Sequence, residues 1–244
     1  MITTIRLELL KWKRSKIILS AIIATLMTPL ITLLSTFMKT TNLGVSAKWV
    51  DLVGLAFQVN HLFIFPLLFG SLTAFIFVHE FQTKSIINLY TLPKSRTTIL
   101  LAKTIVIFLM IIILTILSHI LIILTGTLFI QSGAWNAFLY YFPLALKTGL
   151  MQFLMIPIYI CISLWTQHFI PPIVTAGLFI MTAFISLAMP SIGPLLFPAL
   201  PYYVILQSIG WYNQTIPLIW DMLIPIFLIT MVIAMMITEK RDIH

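Results

Sequence analysis

The sequence predicts an all-α integral membrane protein with six transmembrane helices, and three observations carry that prediction. Hydrophobic residues make up 61% of the 244 and charged residues only 8%, with a mean hydropathy of +1.12, far outside the soluble globular range. The few charges gather between apolar tracts long enough to cross a bilayer, roughly 20 residues each. The basic residues also fall mainly on alternate connections, as the orientation rule for membrane helices requires.

Residues 1 to 16, MITTIRLELLKWKRSK, carry Arg6, Lys11, Lys13, Arg14 and Lys16 against a single Glu8. Ile2, Ile5, Leu9 and Trp12 recur at helical spacing. An amphipathic helix lying in the headgroup layer would bury that face and expose the lysines. The apolar run that follows, Ile17 to Met38, has no small-x-small cleavage site at Ser35-Thr36-Phe37, so it reads as a retained first span, 17–38, and not a signal peptide. Lys39, Lys48 and Asp51 separate it from a second span, 57–78.

A third span, 104–129, leads to Gln131-Ser132-Gly133 and then Trp135, Tyr140, Tyr141 and Pro143, an interfacial segment on the outer side. From Lys147 to Asp221 no side chain is formally charged. A fourth span, 146–165, and a fifth, 171–189, fit there, joined by a turn at Trp165-Thr166-Gln167-His168 before Pro171-Pro172. Pro190, Pro194, Pro198, Pro201 and Pro217 then rule out one straight helix. Because Tyr202, Tyr203, Trp211 and Tyr212 keep that tract apolar, short helices re-entering the outer leaflet fit better than an exposed loop. The last span, 218–238, carries Asp221 near its outer boundary and ends in a charged tail.

Eleven of the 14 basic residues then face the cytosol: five at the start, four between spans two and three, and two in the tail. Lys39, Lys48 and Lys147 lie outside. Both termini are expected in the cytosol, and the net charge of +8 serves orientation toward anionic lipid rather than nucleic acid.

The stretch from His79 to Lys103, HEFQTKSIINLYTLPKSRTTILLAK, is a charged island between two apolar tracts. Phe81, Ile86, Leu89 and Tyr90 give its first part a packing face, and Leu92-Pro93 stops it. An acidic Glu80, a short helix over Thr83 to Tyr90, a Thr91-Leu92-Pro93-Lys94-Ser95-Arg96 turn and a Leu100-Leu101-Ala102-Lys103 re-entry follow one another. The pattern resembles the first cytoplasmic loop of ABC type 2 permeases, with Ser85 where many members have glycine. The resemblance implies a coupling helix that docks on an ATP-binding subunit, with Glu80, Thr83, Lys84, Ser85, Ile86, Leu89, Tyr90 and Arg96 as coupling residues. It also implies a re-entrant element before the last span, with Tyr202, Tyr203, Trp211 and Tyr212 as an exit region. Two ATP-binding subunits and a second permease, identical or related, would complete the usual twelve spans, with ATP and Mg held on the partner.

No expected span interior carries a carboxylate or cation that could bind a driving ion. His79-Glu80 does not continue as a zinc helix, because Thr83 stands where the second histidine would be needed. His61, His119 and His168 are expected at different depths, which disfavours haem, and Cys161 alone can form neither an intramolecular disulfide nor a cysteine-rich metal site. No cofactor is expected on this chain. Small residues, Gly70 with Ala74 and Thr175, Ala176, Gly177, Thr182, Ala183 and Ser186 in the fifth span, suit close helix packing within the chain or with a second copy.

The length and the Glu8 to Arg14 segment, ELLKWKR, are similar to permeases of lantibiotic immunity and bacitracin-resistance transporters. That likeness implies export of amphipathic antimicrobial or toxic peptides from a bacterial plasma membrane. A lipid or small-drug exporter is the alternative within transport, and a non-transporting membrane scaffold or sensor is the alternative outside it.

Overall fold

The computed structural model describes residues 2–13, 15–42, 44–83, 95–189, 191–214, 216 and 219–240, and among these every regular element is helical. In chain order these are α1 (Ile2–Lys13), α2 (Lys16–Asn42), α3 (Trp49–Val59), a π-turn (Asn60–Ile64), α4 (Phe65–Gln82), α5 (Arg96–Gly126) and α6 (Ala134–Leu154). There follow α7 (Ile156–Thr166), α8 (Ile170–Ala188), two 3-10 turns (Gly193–Leu195 and Phe197–Ala199), α9 (Leu200–Ser208) and α10 (Ile219–Lys240). Six stretches are long and apolar enough to cross a membrane: α2, the run Trp49–Gln82, α5, the run Ala134–Thr166, α8 and α10. Trp49–Gln82 is the central one, 72% buried against 22% for α8 and for α10.

Several helices start before the expected spans, and capping chemistry explains where. Trp49–Gln82 starts eight residues ahead of 57, with Asp51 in the first turn, where a carboxylate complements the helix dipole. At α5, the Ser95 hydroxyl accepts from the Thr98 amide at 3.3 Å, so Arg96 and Lys103 lie inside the helix, not ahead of it. Gly133 adopts φ +81° just before α6 and its carbonyl accepts from Ala137 N at 2.9 Å. The segment read as interfacial, from Trp135 to Pro143, is therefore helical, and Trp135 and Tyr140 stand exposed on it. Met155 separates α6 from α7, and Pro157 in the first turn of α7 has no amide hydrogen to continue the α6 ladder. Gln167, at φ +56°, ends α7 before Pro171 and Pro172 open α8.

Among the described residues the core forms three apolar clusters, the smallest of Leu62, Ala183, Ala199, Tyr202 and Tyr203, and two larger ones. One of the larger pair joins Phe65, Phe69 and Phe77 of α4 to Ile107 and Ile111 of α5, Ile156 and Tyr159 of α7, and Ala234 of α10. The other joins Leu52 and Phe57 of α3 to Ile122 of α5, Tyr141 and Met151 of α6, and Leu200 and Ile205 of α9. Between them in sequence lies a neutral polar layer at the π-turn. There the Thr28 hydroxyl donates to Asn60 Oδ1, Asn60 Nδ2 donates to Ser118 Oγ at 2.8 Å, and Gln152 Nε2 lies 3.5 Å from His61 Nδ1. A π-turn admits one extra residue per turn, and here both Asn60 and His61 are buried. Lipid tails supply no hydrophobic drive between helices, so close approach matters more. A Cβ on Gly70 would sit 3.0 Å from Ala176 Cβ, which shows that these small residues pack within the chain.

The proline-rich tract after α8 folds into the two 3-10 turns and α9, and Leu200 to Ile205 are all buried.

Candidate coupling site

Four charged side chains meet where α4 ends, α5 begins and α1 lies across them. Lys11 Nζ is 2.9 Å from Glu8 Oε1 and 2.7 Å from Glu80 Oε1. Lys103 Nζ is 3.4 Å from Glu8 Oε2 and 2.8 Å from Glu80 Oε2. Each carboxylate thus bridges both ammoniums, and the formal charges cancel. Lys103 also donates to the Ile76 carbonyl at 3.2 Å and lies over the Phe77 ring. Glu8, Glu80 and Lys103 are 2%, 7% and 4% exposed, whereas the Lys11 side chain is half exposed.

Burial decides what this cluster does. Desolvation and Coulomb attraction nearly cancel for buried ion pairs, so the cluster adds little net stability, but removing one member leaves a buried charge uncompensated. Its effect is to fix register among three helices. Burial alone would lower the Lys11 pKa, yet Glu80 and Glu8 beside it raise it net, which keeps the ammonium charged.

The cluster sets which side of α1 faces the bundle. Among its described side chains Thr4 and Glu8 are buried with Ile5 packed beside them, while Leu7, Leu9 and Leu10 are exposed on the protein, available to a headgroup layer. Glu8 is turned inward because Lys103 waits there. Sequence reasoning named Glu80 and missed Glu8 and Lys103 as its neighbours. Two signals were present: a lone acid within a basic segment, and a lysine within Leu100-Leu101-Ala102-Lys103-Thr104-Ile105-Val106.

Other expected coupling residues fall in different places. Thr83 follows the last residue of α4, its amide and hydroxyl both donating to the His79 carbonyl at 3.0 and 2.8 Å. Arg96 reaches the last carbonyls of α10, Thr238 at 3.5 Å and Glu239 at 3.4 Å, where a cation complements the helix dipole. It therefore ties α5 to α10 and does not touch the four-charge cluster through any interaction described. Lys84, Ser85, Ile86, Leu89 and Tyr90 lie outside the described residues.

The four aromatics of the expected exit region do not form one open lining. Tyr203 is buried and donates to the Ser186 carbonyl at 2.7 Å, and Tyr202 is buried against it. Tyr212 packs edge-on against Tyr203 and donates to Gln214 Oε1 at 3.0 Å, while Trp211 is exposed. Burial raises the Tyr203 hydroxyl pKa despite its hydrogen bond to Ser186.

His61, His79 and His119 are packing groups, and His168 is exposed. His79 stacks on Phe75, and His119 Nε2 lies 3.1 Å from the Phe138 carbonyl. Contrary to the depth expectation, His61 and His119 both flank the Phe57 ring. Even so, no three His, Cys, Asp or Glu residues are placed to hold a metal among the described residues.

Residues 4–186, from α1 into α8, match the family described as ABC-2 family transporter protein. No curated protein matches the chain. With six apolar helices in the fold and three quarters of the chain matched, the protein belongs to the ABC-2 transporter family, as the multi-pass permease component of an ABC transporter that works with an ATP-binding subunit.

Proposed function

We propose that this permease exports amphipathic antimicrobial or toxic peptides and that the four-charge cluster is its mechanical joint to the ATPase. The observation that carries the joint is the position of Glu80. It is buried between Lys11 and Lys103 only a few residues before Thr83 to Tyr90, the stretch that resembles a coupling helix. Force delivered to a short docked helix moves the bundle only if the helix root has one register. Glu80 anchors that root on α4, Lys103 carries it to α5, and Glu8 with Lys11 carries it to α1.

Docking itself would rest on Ile86, Leu89 and Tyr90, each contributing through apolar area removed from water at about 25 cal/mol per Å². The resting assembly is two permease chains, identical or related, with two ATP-binding subunits that hold ATP and Mg, set in a bacterial plasma membrane with both termini cytoplasmic. The peptide class rests on the likeness of the ELLKWKR start to immunity and bacitracin-resistance permeases. A lipid or small drug is the competing cargo.

Leu89→Asp places a charge in the docking contact. Co-purification with the ATP-binding subunit should fall at least tenfold while membrane insertion, set by the spans, stays normal. Undiminished co-purification would remove the Thr83 to Tyr90 stretch from the joint. For cargo, cells with the complete transporter should survive a panel of cationic amphipathic peptides better than cells with a hydrolysis-dead ATPase. Equal killing across the panel, with ATP-dependent lipid movement in vesicles, would transfer the assignment to lipid.

A further inference from the structure

At the opposite end of the bundle from the four-charge cluster, the end of α2, the connection to α3 and the first turns of α3 enclose a cavity of about 350 Å³. Its lining includes the charged Lys39, Lys48 and Asp51 together with Thr36, Leu52 and Leu55. Neither lysine joins an ion pair among the described residues, where every ion pair belongs to the distant cluster. Thr36 is 8% exposed, and no hydrogen bond of its hydroxyl occurs among the described residues, although Thr25, Thr28, Thr32, Thr40 and Thr41 on the same helix all donate one. The cavity wall is also held in place. Trp49, next to Lys48, donates its indole N–H to the Ser132 carbonyl at 2.8 Å and its ring lies flush against Gly126, where a Cβ would collide with it.

We infer that this cavity binds one phosphodiester headgroup, with Lys39 and Lys48 flanking the phosphate, the Thr36 hydroxyl donating to it, and Leu52 and Leu55 receiving the adjoining apolar stem. Two ammoniums and one carboxylate leave one net positive charge, which matches a phosphodiester monoanion. The Asp51 carboxylate adds an acceptor for a hydroxylated headgroup. Lysines near a bilayer surface reach for phosphates with long apolar stems. Here that reach is paired with a cavity and with the Thr36 hydroxyl, which makes no hydrogen bond among the described residues, so one headgroup is selected over bulk lipid. The same chemistry could be met by free phosphate, and the apolar wall argues for lipid.

The test uses the full chain purified in a nonionic detergent and titrated with short-chain phosphatidylglycerol, short-chain phosphatidylcholine and inorganic phosphate, read by native mass spectrometry and calorimetry. The expected result is saturable binding of one phosphatidylglycerol, weakened at least tenfold by Lys39→Gln or Lys48→Gln and several-fold by Thr36→Val, and unchanged by Lys147→Gln. Equal saturable binding of inorganic phosphate, lost in the same variants, would retain the phosphate site and reassign its source to the free ion. Lipid uptake that does not saturate, or that Lys147→Gln reduces as much as Lys39→Gln, would overturn the site and leave only charge attraction to the headgroup layer. Melting temperatures of the variants within a degree or so of the parent separate lost binding from lost fold.

Discussion

The four-charge cluster and the neutral layer at the π-turn do the same job with different chemistry. Both set helix register in surroundings where apolar contact alone cannot, because lipid is as apolar as the side chains that face it. The cluster uses full charges and stands at the end of the bundle, where Lys11 is half exposed and can share the cost with water. The layer lies between the two larger apolar clusters and uses hydroxyl, amide and imidazole groups alone, Thr28, Asn60, Ser118, His61 and Gln152. A charge at the centre of a membrane helix costs on the order of 2.5 to 3.5 kcal/mol. The described ion pairs are confined to the end, and the difference predicts that the end should be brittle and the middle forgiving.

The largest effect should come from Lys103→Met, which leaves Glu8 and Glu80 buried with only half-exposed Lys11 to balance them. Loss of one partner from a buried ion network costs about 3 to 5 kcal/mol, read as a fall in the denaturant midpoint of the detergent-purified chain. Adding Glu80→Gln should recover part of the loss, because one uncompensated charge is gone. A double variant as unstable as the sum of the two singles would mean that these side chains do not share a network.

Asn60→Leu should be milder. It removes the bonds to Thr28 and Ser118, and interhelical hydrogen bonds in membrane proteins contribute about 0.6 kcal/mol each, at most about 1.7. A loss as large as that from Lys103→Met would erase the distinction between end and middle. Lys11→Ala should be the smallest, about 0.2 to 1 kcal/mol as for exposed pairs, and smaller still at high salt. The Lys11 pKa is raised above its ordinary value of 10.5 in the folded chain. Its contribution is therefore fully present at neutral pH and is lost only as pH climbs through that raised value. Destabilisation by Lys11→Ala that vanished at pH 7 and returned at pH 11 would reverse the assigned sign.

The sequence made the helical class and the six apolar stretches legible because lipid imposes length and composition directly, as Ile17 to Met38 against α2 shows. Helix starts were less legible. Ser95 and Gly133 set them by capping and by a positive φ, so Arg96, Lys103 and Trp135 entered helices that a hydropathy reading places later. Within the candidate site, Glu80 was legible as an acid at the end of an apolar tract. Glu8 was not, because the apolar periodicity of residues 1 to 16 pointed to a face containing Leu9, and only the long-range pairing with Lys103 turns the helix toward Glu8. The buried state of Tyr202 and Tyr203 was hidden for a similar reason. Aromatics beside prolines read as an interface, and the Ser186 carbonyl that accepts from Tyr203 lies in another element.

On this proposal α1, the end of α4 and the start of α5 form one rigid joint ahead of the Thr83 to Tyr90 stretch. Spin labels at Leu10→Cys on α1 and Gln82→Cys on α4, both exposed positions, in a Cys161→Ser background, report it directly through the distance between them in the complete transporter. A rigid joint gives a single narrow distance distribution, the same in the nucleotide-free and the ADP-vanadate-trapped states, that broadens when Glu80→Gln is added. A distance that shifts between the two states with the cluster intact, or a distribution that Glu80→Gln leaves unchanged, would contradict it.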